Sequence, residues 1–227
     1  MHSEKQFVLT KARRSRLFGI LALIGASTFF LSLAALHAMS SGIDWVNGYV
    51  SDLANEPHGL VFGVGAFVHG WGNLALSLGL YYALPAGRLR NWGVLFLGLA
   101  AIGIMLTGLF PIDPPGAAAS FSGSLHRPVS STAFILEIIA LLIFSLVFTS
   151  CADPRWRRLK TISWVLTVAA IAAVIWFSIA DVSKIMVGLS ERAALGALMV
   201  WEIRVIFQLV RPIQNNMENV RSTPAVE

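Results

Sequence analysis

The stretch L-F-G-I-L-A-L-I-G-A-S-T-F-F-L-S-L-A-A-L, Leu17 to Leu36, is twenty residues long and holds no charged side chain. Wound as a helix at ~1.5 Å per residue it covers about 30 Å, the thickness of a bilayer's hydrocarbon core. A basic segment precedes it, as in a secretory signal, but a signal's apolar core is only ~7–15 residues long. The small-x-small sequence that follows, Ala-Leu-His-Ala at 35–38, is a weak cleavage site. The run therefore reads as a retained first span, covering 17–39. Comparable apolar stretches lie at 60–84, 92–110, 129–151, 161–182 and 193–210. Backbone groups in lipid must be satisfied within their own segment or barrel, and the alternation of barrel strands is absent, so each stretch is expected to be a helix. The expected fold is an all-α membrane protein, a bundle of six transmembrane helices.

Composition agrees. The chain is 56% hydrophobic and 13% charged with a mean hydropathy of +0.71, whereas soluble domains carry about 25% charged residues. Cys151 is the single cysteine, so no internal disulfide forms and a cysteine-based metal site is excluded.

The basic residues set the expected orientation. Lys5, Lys11, Arg13, Arg14 and Arg16 precede the first span. Arg88 and Arg90 lie between the second and third, and Arg155, Arg157, Arg158 and Lys160 between the fourth and fifth. Arg211 and Arg221 follow the last. Thirteen of seventeen basic residues thus share one side, and Arg127, Lys184 and Arg192 fall on the other. The positive-inside rule makes the first side cytoplasmic, with both termini there and the protein in the cell membrane. The net charge of +5 then reflects topology and contact with anionic lipid, not nucleic acid. On this reading 1–16 is a basic cytoplasmic tail, 17–211 the transmembrane domain, and 212–227 a polar, disordered tail.

Three longer connections, rich in turn formers, fall outside: 41–59, 108–128 and 181–192. They hold Asp44, Asp52, Glu56, His58, Asp113, His126, Asp181 and Glu191. Charged groups inside spans are costly and mark function or pairing; His69, Glu137, Glu202 and Arg204 qualify. Gly65, Gly72 and Gly79 recur every seven residues on the helix face that carries His69, with Asn73 a turn further. Small residues admit close helix approach, so this stripe is expected to face the bundle. Ser130, Ala133, Glu137 and Ala140 form a comparable stripe, which makes His69 and Glu137 expected partners. Arg204 is expected to snorkel to the cytoplasmic interface. The inner halves of the spans hold almost no polar residues besides Glu202, Arg204 and Gln208, which argues against ion transport through the centre.

Three ordered motifs carry a family resemblance: N-G-Y-V-S-D-L-A-N-E-P-H (47–58), G-L-F-P-I-D-P-P (108–115) with a His about a dozen residues on, and G-L-S-E-R (188–192) followed by a Trp. On six spans, over about 15–212, the chain resembles the prokaryotic membrane proteins catalogued as domain of unknown function 998. The resemblance implies a six-helix bundle with an extracytoplasmic polar cluster, and implies no reaction. The residues it marks are Ser51, Asp52, Pro57, Phe110, Pro111, Asp113, His126, Glu191, Arg192 and Trp201.

Two chemistries suit such a cluster. The first is a polar cleft that binds a small ligand or lipid headgroup through Asp52, Asp113, His126, Glu191 and Arg192, in a transport, sensing or accessory role. The alternative is a metal-dependent membrane hydrolase at the outer leaflet. In it His69, Asp113 and His126, with His58 as a further donor, would ligate zinc, whose preferred ligands are His and carboxylate. Asp113, His126 and Glu137 are its candidate catalytic groups, with Glu137 or Asp52 as general base. That alternative requires His69, His126 and Asp113 to converge on one point.

Overall fold

The structure is a computed structural model and describes residues 2–40, 42 and 44–211. The polar segment expected at 212–227 lies outside the described residues. Seven helices make up the described chain: α1 His2–Met39, α2 Leu60–Ala83, α3 Arg88–Leu109, α4 Phe121–Ser150, the one-turn α5 Pro154–Arg157, α6 Lys160–Ser183 and α7 Val187–Val210, with a 3-10 turn at Ser51–Asn55. All but α5 are long and apolar enough to cross a membrane, so the chain is a six-span, all-helical membrane protein.

Two helices run well beyond the apolar stretches that define them. The first continues back through the basic segment expected as a tail, to His2. The fourth starts at Phe121 rather than at 129, because Ser120 caps it by accepting from the Gly123 N–H at 3.0 Å. His126 and Arg127, expected in a loop, thus belong to the opening turns of α4. Pro128 follows them inside the helix, where it lacks a backbone donor.

Packing closes the helices into a ring. Each of α1 to α4 packs on the next, α4 packs on α6, α6 on α7, and α7 returns against α1. Helix α7 also touches α2 across the ring. These two are the most enclosed spans, 56% and 50% buried over their apolar windows against 17% for α6, so polar groups on them meet protein, not lipid. The expected glycine stripe of α2 does face inward. A Cβ on Gly72 would lie 2.8 Å from the Gly25 Cα of α1, and one on Gly65 would lie 2.7 Å from the Ser32 side chain.

The end of the ring bearing the α2–α3 and α4–α6 connections is held by cations on carbonyls. Arg90 donates to the Tyr81 and Leu84 carbonyls at 3.2 and 3.3 Å, which finishes α2. Arg155 donates to the Gln208 carbonyl at 2.8 Å, and the Gln208 amide returns a bond to the Arg155 carbonyl at 3.0 Å. Deeper in, Trp201 is fully buried against Phe144 and Phe148. Its indole N–H donates to Ser163 at 2.8 Å, and the Ser163 hydroxyl pairs with Ser145 at 2.7 Å. Arg204 is half-buried.

Candidate functional site

The 110–120 connection is stapled by its own side chains. The Asp113 carboxylate accepts from the Ser120 hydroxyl at 2.6 Å and from the Ser120 N–H at 2.9 Å. These bonds hold the carboxyl below the usual aspartate range, the hydroxyl contributing more than the backbone. The Ser122 hydroxyl donates to the Pro111 carbonyl at 2.9 Å. His126 Nδ1 lies 2.7 Å from the Phe110 carbonyl; a carbonyl only accepts, so this nitrogen carries the proton.

The 44–59 segment is clamped from α7. Glu191 accepts from the Val50 N–H at 2.6 Å. Arg192 donates through Nη1 to the carbonyls of Trp45, Gly48 and Gly188 at 3.3, 3.1 and 2.8 Å. Its Nη2 lies 3.0 Å from His37 Nε2. His37 Nδ1 faces the Leu33 carbonyl at 2.7 Å, so Nε2 is the acceptor for Arg192. Asp52 accepts from the Tyr49 N–H at 2.9 Å, and burial still pushes its carboxyl upward. A second clamp joins the tips of the long connections. The Tyr49 hydroxyl donates to Asp181 and accepts from Lys184 at 2.9 Å, while Arg127 lies 3.7 Å from Asp181.

Beneath these clamps lies a cavity of about 70 Å³, several times the ~10–15 Å³ that admits one water. Val50 and Ser51 border it, and three helices turn one face each toward it. Helix α2 presents Phe62, Ala66 and His69; α4 presents His126, Ser130, Ala133 and Glu137; α7 presents Glu191, Leu195, Leu198 and Glu202. Helices α1 and α3 complete the wall with Phe29, Ile104 and Thr107.

The deep pole of the cavity is a buried polar cluster. His69 Nε2 lies 2.9 Å from Glu202 Oε2, and the Asn73 amide donates to Glu202 Oε1 at 2.6 Å. Phe29 stacks on the His69 ring at 4.9 Å. The Glu137 carboxyl borders the same cavity as Glu202. Its Oε1 is buried and has no hydrogen-bond partner among the described residues. His69 and Glu137 therefore do share a cavity, but the acid that meets the His69 ring is Glu202, which the sequence alone places in the opposite half of the bundle.

Of the sequence-derived candidates, His126, Glu191, His69 and Glu137 line this cavity, while Asp52, Asp113 and Arg192 do not. Asp113 is turned to Ser120, so His69, His126 and Asp113 do not converge. Among the described residues no group of three or more His, Cys, Asp or Glu is arranged to hold a metal ion.

No curated protein and no solved structure matches the chain. Residues 23–207, from the first turns of the α1 span nearly to the end of α7, match the family described as protein of unknown function (DUF998), and the chain is a member of that membrane-protein family.

Proposed function

We propose that this protein binds a small ligand or lipid headgroup in the cavity between α2, α4 and α7. The ligand enters past Val50 and Ser51, on the extracytoplasmic side of the cell membrane. The observation that supports this most is the wall itself: the paired His69 and Glu202 and the nearby Glu137, polar groups from three spans, border open volume, and Glu137 Oε1 has no hydrogen-bond partner among the described residues. A purely structural polar contact between membrane helices closes on itself, because an unmet polar group in hydrocarbon is costly. The clamps at Arg192 and Asp113 serve this site indirectly, by fixing the connections above it.

Native mass spectrometry of the full chain, released from maltoside micelles, tests the reading. Wild type is expected to retain a bound small molecule or lipid, and Ser130→Trp, which fills the cavity from α4, is expected to lose it. An adduct kept equally by the variant, or none on wild type, overturns the proposal.

A further inference from the structure

The chemistry of the cavity wall restricts what it would accept. Its lining holds three carboxyl groups, Glu137, Glu191 and Glu202, and, among the described residues, no Lys or Arg. Glu191 is engaged by the Val50 N–H, and Glu202 by His69 and Asn73. Among the described residues, Glu137 Oε1 is the fully buried acceptor of this lining that has no hydrogen-bond partner, on a residue only 4% exposed. An anion placed here would meet three carboxyl groups with no Lys or Arg in the lining to offset them, an electrostatic mismatch that disfavours it. Calcium or magnesium would need about six or more oxygen ligands, and zinc about four donors such as His and carboxylate. Among the described residues no group of three or more His, Cys, Asp or Glu is arranged to hold a metal ion. Aromatic rings share the wall with this acceptor: Phe29, Phe62 and Phe134 all line the cavity.

We infer that the cavity selects an organic ammonium group, whose N–H bonds to Glu137 Oε1 while its carbon chain lies against the phenylalanines. A primary ammonium has three donors and no acceptor, so it satisfies the orphan oxygen without introducing a new unmet group. Carboxylate–ammonium hydrogen bonds are charge-assisted and short, and phenyl faces attract desolvated cations. The inference rests on the proposed binding role and names the ligand class for it. A free amine and an amine-bearing lipid headgroup present the same chemistry.

Calorimetric titration of the full chain in maltoside micelles with n-propylamine, 1-propanol and propionate at neutral pH separates the classes. Wild type is expected to bind propylamine at least about tenfold more tightly than propanol, the discrimination of one charged hydrogen bond, and to exclude propionate. Glu137→Gln is expected to abolish the preference while keeping the wild-type melting temperature. Doping the micelles with phosphatidylethanolamine lowers the apparent propylamine affinity if the headgroup is the occupant, and leaves it unchanged if a free amine is. Propanol or propionate binding as tightly as propylamine overturns the ammonium assignment while leaving a binding cavity in place. Absence of binding by all three probes also overturns it, and the adduct experiment on Ser130→Trp judges the binding role separately. The wild-type comparison needs no variant, so the inference stands exposed even if Glu137→Gln fails to fold.

Discussion

Asp113 spends both carboxylate oxygens on Ser120, the residue that in turn caps α4. A Cβ added at Gly123 would lie 2.0 Å from Asp113 Oδ2, so the absence of a side chain there is part of the same staple. The sequence showed a stiff, proline-rich turn with an acid in it, and that acid was read as part of the ligand-binding cluster. Spacing alone did not reveal that a serine seven residues on would take both its oxygens, because an acid near a helix start serves equally as a cap or a ligand. The staple has a pH signature. The folded carboxyl is held below its ordinary value of 3.8, so its contribution is complete above that value and is lost as pH falls through the folded pKa. Asp113→Asn is therefore expected to melt below wild type at pH 7 and to converge with it as the pH is lowered beneath 3.8. Differential scanning fluorimetry across that range decides it, and a difference independent of pH would show that the charge is not what matters.

At the scale of the helix, one phase relation organises the site. His126, Ser130, Ala133 and Glu137 on α4 stand at i, i+4, i+7 and i+11, as do Glu191, Leu195, Leu198 and Glu202 on α7. Phe62, Ala66, His69 and Asn73 repeat the spacing on α2. Eleven residues is about three turns, so each set lies on one face. The stripe through Ser130, Ala133 and Glu137 was legible, as was the His69 face. His126 falls outside the stripe that hydropathy marks, because the apolar run begins only at Val129; helix ends set by capping carry no hydropathy signal. Glu202 stands in the sequence beside Arg204 and Gln208 near the basic end, and only its eleven-residue spacing from Glu191 points to the cavity face. The crossing of α1 and α2 that seats His69 depends on glycine. A Cβ on Gly25 would fall 2.6 Å from the Gly72 Cα, backbone that has nowhere to yield. Gly25→Ala is expected to cost about 1–3 kcal/mol as overpacking. Gly196→Ala meets nothing within 4 Å and is expected to raise stability by roughly 0.5–1 kcal/mol through helix propensity. Unfolding midpoints in maltoside, compared for the two, check both signs; equal effects would mean that the α1–α2 contact does not limit stability.

For the molecule as a whole, six spans and their approximate limits followed from hydropathy, whereas the order of the ring did not. Nothing in the sequence says that α7 returns to α1 and also reaches α2, and it is that closure which brings Glu202 to His69. Membrane helices associate through small residues and polar bonds rather than hydrophobic contrast, so apolar patterning cannot identify neighbours. Charge asymmetry bears on a different question, which way the finished ring faces. The connections that clamp the cavity, at 44–59, 110–120 and 184–186, lie opposite the end where Arg88, Arg90, Arg155, Arg157, Arg158 and Lys160 gather. Lys and Arg flanking short loops are retained on the cytoplasmic side, so the cavity is expected to face outward. Single cysteines in a Cys151→Ala background read this directly. Ala118→Cys sits in the exposed 110–120 connection, and Gly87→Cys occupies open space at the basic end. A membrane-impermeant maleimide applied to intact cells is expected to label Ala118→Cys at once and Gly87→Cys only after permeabilisation. The opposite pattern would turn the cavity toward the cytoplasm and make its ligand a cytoplasmic one, whereas labelling of both in intact cells would mean that the two ends do not lie on opposite faces of the membrane.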